Sequence, residues 1–214
     1  YRSYAYNYPY YDGLKENTST MYKVSMIESV SVNILPELAL KTVFSYDQTR
    51  VDDHSYYSPK HYSYASSSGS ISEYRSRIEK LVSSTTLSYN KTFGGKHNMA
   101  LLAGWEAEEN KTDYVRATGT QLPGESAKTI ASAGERDSNG YNWGYTMLSF
   151  LSKAEYNYDN KYYFSASYRR DGSSRFGENS RWGDFWSVAA SWRIKSEEFL
   201  QNVDWLSSLR LRAS

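Results

Sequence analysis

The sequence predicts an all-β chain, part of a transmembrane antiparallel β-barrel, on three observations. Apolar and polar residues alternate at period two in repeated stretches. Short turns alternate along the chain with long polar connections. Aromatic residues gather towards strand ends, where the interfacial girdles of a barrel sit.

The composition admits this class and excludes others. Only 39% of the residues are hydrophobic, yet 16% are aromatic and 22 are tyrosines. Disordered chains are poor in aromatics, and no window approaches the roughly 18 apolar residues of a membrane-spanning helix. Strands with one polar and one apolar face give such a mixture without any long apolar run. A net charge of +1, from 25 basic and 24 acidic residues, provides no field for nucleic acid. The absence of cysteine excludes disulfides, thiolate zinc sites and thiol catalysis. The opening Tyr1-Arg2-Ser3-Tyr4 has neither an initiator Met nor an apolar leader, as expected of a processed chain or an inner segment of a longer one.

The strands follow in order. Tyr22, Val24, Met26, Glu28, Val30, Val32 and Ile34 share one mainly apolar face, with Lys23, Ser25, Ile27, Ser29, Ser31 and Asn33 on the mostly polar face opposite. Pro36-Glu37 turns this strand into the next, where Leu38, Leu40, Phe44 and Tyr46 oppose Ser45 and Asp47. Leu81, Leu87 and Tyr89 oppose Ser84, Thr86, Ser88 and Asn90, and Gly94-Gly95 supplies a turn. Met99, Leu101, Ala103, Trp105 and Ala107 then oppose Asn98, Gly104, Glu106 and Glu108. Leu148, Phe150, Ala154, Tyr156 and Tyr158 lead through Asp159-Asn160 to Tyr162, Phe164, Ala166 and Tyr168. Trp186, Val188, Ala190, Trp192 and Ile194 form the last full face. The long polar stretches 51–72, 109–143 and 171–184 read as loops on the end opposite the short turns. A secreted carbohydrate-binding β-sandwich also shows alternating strands, but its inner faces are richer in Leu, Ile and Val and its loop lengths alternate less regularly. A passive porin-like barrel is the other alternative.

The run from Asn157 through Arg169-Arg170-Asp171-Gly172-Ser173-Ser174-Arg175-Phe176-Gly177 closely resembles the SusC/RagA family of TonB-linked outer-membrane proteins. So do Arg181-Trp182-Gly183-Asp184-Phe185-Trp186, Ser191-Trp192-Arg193-Ile194 and Glu197-Glu198-Phe199-Leu200, and Leu209–Ser214 resembles the start of a further strand. Trp186 departs from the family, which usually has Pro there. The resemblance implies about seven to eight strands of a larger barrel of roughly twenty-two. Residues 1–214 are then a partial barrel domain, with the plug domain and remaining strands not in this chain. It further implies import of large nutrients, glycans or peptides, across the outer membrane of a Gram-negative bacterium. The implied partners are a SusD-like surface lipoprotein, TonB acting through an absent plug and TonB box, outer-membrane lipid and the substrate, with no nucleic acid. No enzyme activity and no cofactor are implied.

The residues on their own give no catalytic constellation. Ser88-x-x-Lys91 has the spacing of a Ser/Lys dyad, but odd spacing on a strand sends the two side chains to opposite faces. Gly124-Glu125-Ser126 lacks the context of a nucleophile elbow, and Glu108 and Glu109 are adjacent and diverge. Asp52, Asp53, His54 and His61 lack recognised metal-ligand spacing and read as a solvated loop. Arg169, Arg170, Asp171 and Arg175 read either as an ion-pair network shaping a turn at Gly172 or as ligand contacts at the outer mouth. Tyr56, Tyr57, Tyr62, Tyr64 and Tyr141 are candidates to contact substrate or partner, against a role in loop packing.

Overall fold

The computed structural model describes residue 10 and residues 12–214; the opening tetrapeptide lies outside them. Eight strands form one sheet in sequence order, each hydrogen-bonded to the next. They are β1 (Lys15–Leu35), β2 (Leu38–Tyr57), β3 (Ser70–Phe93), β4 (His97–Thr120), β5 (Glu135–Tyr158), β6 (Tyr162–Ser173), β7 (Trp182–Trp192) and β8 (Leu211–Ala213).

The short turns fall where alternation stops. Pro36 and Glu37 join β1 to β2. Gly94 and Gly95, with φ of 52° and 71°, begin the β3–β4 turn. Asp159 and Asn160, at 52° and 54°, take the same left-handed conformation between β5 and β6. Two successive positive-φ residues match the right-handed twist of flanking strands, and Asp and Asn tolerate that region better than most side chains.

The long loops are shorter than the polar composition suggests. β2 runs on to Tyr57 and β3 begins at Ser70, leaving residues 58–69 between them rather than 51–72. The β4–β5 connection is 121–134, not 109–143, and the β6–β7 connection is 174–181, not 171–184. β3, β4 and β5 each have 24 residues, where about 9–11 suffice to cross a bilayer. Beyond the apolar stretch neither strand face keeps a sustained apolar row, so alternation vanishes while the ladder continues. A second difference lies at the short-turn end. β7 and β8 are joined by residues 193–210, which hold a 3₁₀ turn (Ile194–Ser196) and a short α-helix (Glu198–Gln201). Ile194 therefore belongs to this connection and not to β7. Trp186 lies within β7, paired with Tyr168, so the family's Pro position does not interrupt the strand here.

The chain divides into two compact units. One comprises the chain through Ser25 with Tyr46–Lys80 and Asn110–Gly144; the other comprises Met26–Ser45, Leu81–Glu109 and Tyr145–Ser214. The first holds the buried apolar core, Tyr56, Ile71, Leu122 and Ala133, with Ile130 packed against it.

Candidate functional site

In the second unit, the register of β5, β6 and β7 sorts side chains into two faces. Tyr158, Tyr162 and Trp192 form one row; Tyr156, Phe164 and Ala190 the next; Ala154, Ala166 and Val188 the third. This face is apolar, and Phe164 and Val188 on it are about half exposed. The opposite rows are Asn157, Tyr163 and Ser191; Glu155, Ser165 and Ala189; Lys153, Ser167 and Ser187. Here side chains bond across strands: Ser167 Oγ lies 2.7 Å from Ser187 Oγ, and Asn98 Nδ2 donates to Asn157 Oδ1 at 3.1 Å.

The Arg-Arg-Asp-Gly run is strand rather than turn, and this divides the expected cluster. Arg169 and Asp171, two residues apart on β6, share the polar face, and Arg169 Nε donates to Asp171 Oδ1 at 2.7 Å and Oδ2 at 2.9 Å. Arg169 also donates to Ser149 Oγ at 3.1 Å and lies 3.9 Å from Glu106. Arg170 projects to the apolar face, over the Trp182 ring at 5.2 Å and 3.7 Å from Asp184. Arg175 stands over the Tyr145 ring at 3.8 Å, while Tyr145 Oη donates to Glu108. Gly172 does not turn the chain; it makes room for Trp182 on the adjoining strand.

In the first unit, the candidate tyrosines at the end of β2 and in the 58–69 connection separate by burial. Tyr56 is 2% exposed; its hydroxyl donates to the Glu125 carbonyl at 2.9 Å and Lys128 sits over its ring at 5.2 Å. Its ring packs with Ile71 of β3 and with Leu122 and Ala133 of the 121–134 connection. Lys128 is paired with Glu16, and that hydrogen bond holds its ammonium above the ordinary lysine range. Tyr57 stacks on Tyr64 at 4.1 Å and meets the edge of His61 at 5.3 Å. Tyr62 stacks on His61 at 4.8 Å and remains 51% exposed.

Composition alone does not single out a row of rings across three strands of this unit. Tyr74 on β3 lies 5.6 Å from Tyr114 on β4, which meets Tyr141 on β5 edge to face at 4.4 Å. Tyr141 is 54% exposed. Along β4, Tyr114 falls on the same alternate positions as Glu106 and Glu108, the polar set. The signal available in the sequence was this parity, which becomes readable only once β4 and β5 are known to run through 109–143. Of the acidic and histidine residues between 52 and 61, Asp52 pairs with Arg50, His54 with Glu73, and Asp53 accepts from Ser19. Among the described residues no three metal-ligating side chains converge.

No family model matches the chain. It is 29% identical over 209 residues, 94% of its length, to a TonB-dependent receptor of Formosa agariphila. It is 30% identical over 148 residues, 67% of its length, to the TonB-dependent receptor SusC of Bacteroides thetaiotaomicron. It spans 20% and 14% of the lengths of these two receptors. Among solved structures, the RagAB peptide transporter superposes over 99% of this chain and 24% of the matched one, with a TM-score of 0.88 and 26% identity. The RagAB importer in its open-open state covers the same shares at a TM-score of 0.82 and 27% identity. These relatives are transport receptors rather than enzymes. Together with the antiparallel meander, the matches establish that the chain belongs to the SusC-like family of TonB-dependent receptors, as a stretch of their β-barrel wall.

Proposed function

We propose that this chain forms wall and outer loops of an outer-membrane importer for glycans or peptides, driven through TonB and capped by a SusD-like surface lipoprotein. The observation that carries the reading is the contrast between the two sheet faces. One exposes Tyr158, Tyr162, Phe164 and Val188; the other is knitted by polar side chains. An apolar surface of this extent fits lipid, and the polar one fits a water-filled lumen. The edge strands β1 and β8 pair with further strands of the same barrel, because unpaired backbone is not tolerated in a bilayer. The chain's likeness to SusC and to RagAB supports the partnership and the energy source. Within this reading Tyr74, Tyr114 and Tyr141 line the lumen, Tyr62 and Tyr64 stand among the outer loops that meet the lid or its cargo, and Asp171 sets Arg169 on the lumen side. Arg170 acts on the lipid-side girdle.

Uptake by cells carrying the full-length gene tests it. Labelled oligosaccharide or peptide should enter only with TonB intact and with the neighbouring lipoprotein gene present. Uptake that persists without TonB would instead describe a passive pore.

A further inference from the structure

The β7–β8 connection is unlike the other turns at its end of the sheet. The β1–β2, β3–β4 and β5–β6 turns there are tight, whereas residues 193–210 fold into a small structure of their own. Its side chains fix where it lies. Glu197 Oε1 accepts from Tyr162 Oη at 2.6 Å and from Trp192 Nε1 at 3.0 Å, and Lys161 Nζ approaches Oε2 at 3.4 Å. Tyr162 and Trp192 are stacked neighbours on the apolar face, 6.2 Å apart at 14°, and Tyr158 extends the stack at 6.3 Å. Lys195 Nζ then closes the segment on itself by donating to the carbonyls of Leu200 at 2.8 Å and Val203 at 2.7 Å. The segment thus leaves β7 with Arg193 and Arg210 over the Tyr163 ring of the polar face, while Glu197 ties its middle to Tyr162 and Trp192 on the apolar face. Within it Phe199 is 69% exposed and Trp205 84% exposed.

We infer that residues 193–210 form an interfacial anchor on the periplasmic side of the barrel, with Phe199 and Trp205 seated among the headgroups and upper acyl chains of the inner leaflet. The inference rests on the proposed reading that the apolar face meets lipid. Continuity supplies the occupant: an aromatic row already on that face is extended outward by the segment tied to it. Trp is the residue best suited to the interface, since its ring is amphipathic and its N–H prefers to remain near water. Arg193 and Arg210 lie over the Tyr163 ring of the opposite face, and Lys195 is turned onto the segment's own carbonyls, so beside Glu197, Glu198 and Asp204 the segment offers no excess positive charge that would call for an anionic lipid. An uncharged phospholipid surface therefore suffices as partner. A free amphipathic segment would leave the interface readily, but the Glu197 bonds hold this one in place.

The test uses the full-length transporter, freed of other cysteines, in phosphatidylcholine vesicles containing lipids with nitroxides at the headgroup or mid-chain. Single variants Phe199→Cys, Trp205→Cys and Val188→Cys carry an environment-sensitive fluorophore. The labels at 199 and 205 should be quenched several-fold more by headgroup than by mid-chain nitroxide, with the order reversed at 188. Glu197→Gln should lower headgroup quenching at 205 while leaving 188 unchanged. Quenching of 199 and 205 only by aqueous iodide, or their shielding from both quenchers by another part of the protein, with 188 still deep in lipid, overturns the anchor alone. Failure of lipid quenching at 188 as well overturns the lipid-facing reading on which it rests.

Discussion

The indole of Trp182 on β7 lies against Gly172 of β6, its register partner: a Cβ on the glycine would come 2.9 Å from the ring carbons Cε3 and Cζ3. Arg170 covers the same ring, and Phe150 of β5 stacks with it at 6.2 Å. The glycine is required by a neighbouring ring rather than by a turn. Gly172→Val should cost about 1–3 kcal/mol through overpacking. The cost should shrink in a Trp182→Ala background, because the clash and the ring disappear together. Guanidinium unfolding of the full-length protein in detergent, run as a double-mutant cycle, measures the coupling; additive effects would mean that the two residues do not meet.

The loop core makes a separate prediction. Ile71 is fully buried against Tyr56, Leu122 and Ala133. Ile71→Ala should cost roughly 2–5 kcal/mol of local stability. Since this core packs the adjoining ends of β2 and β3 against the 121–134 connection, the barrel should still assemble, while limited proteolysis within 121–134 accelerates markedly. Loss of assembled protein with no change in loop cleavage would assign Ile71 to the wall instead.

What could be read from the sequence follows from where apolar side chains lie. Phe93–His97 and Tyr158–Tyr162 were legible as hairpin ends because apolar alternation runs up to turns built from Gly-Gly and Asp-Asn. The outer halves of β2, β4 and β5 were not, because Gln48–Tyr57, Asn110–Thr120 and Glu135–Gly144 are mainly polar and carry no sustained apolar row on either face. Arg170 and Asp171 looked like partners because they are adjacent, yet a strand sends neighbours to opposite sides. No local pattern distinguishes buried Tyr56 from exposed Tyr62: the difference comes from Leu122 and Lys128, some seventy residues away in the other loop. The 193–210 segment carries no local signal of its position, because its attachment to Tyr162 and Trp192 through Glu197 is tertiary.

Acid should loosen that attachment. Hydrogen bonds from Tyr162 and then Trp192, with Lys161 beside them, hold the Glu197 carboxyl below its usual range. A lowered folded-state pKa contributes stability that is present above the unfolded value and is lost as pH falls through the folded one. The 193–210 segment should therefore be stable at neutral pH and become protease-sensitive on the acid side of the ordinary Glu range. Glu197→Gln should abolish that pH dependence. Sensitivity that rises instead with alkaline pH would refute the role of Glu197.

The alternation of loops predicts sidedness. Epitope tags at Ser67 and Ser126, in the 58–69 and 121–134 connections, should be reached by antibody on intact cells, and a tag at Gly95 only after the outer membrane is breached. Exposure of Gly95 with concealment of Ser67 would invert the topology.

The central claim is that one face of the sheet meets lipid and the other lines a lumen, and adjacent residues on β6 test it most directly. Phe164 and Ser165 point to opposite faces in the register with β5 and β7. Phe164→Cys and Ser165→Cys, each in full-length receptor in intact outer membrane, are exposed to a small, charged, membrane-impermeant thiol reagent. Ser165→Cys should label through the water-filled interior and Phe164→Cys should stay protected until detergent strips the lipid. Rapid labelling of Phe164→Cys with protection of Ser165→Cys would contradict the register, and with it this account of the wall.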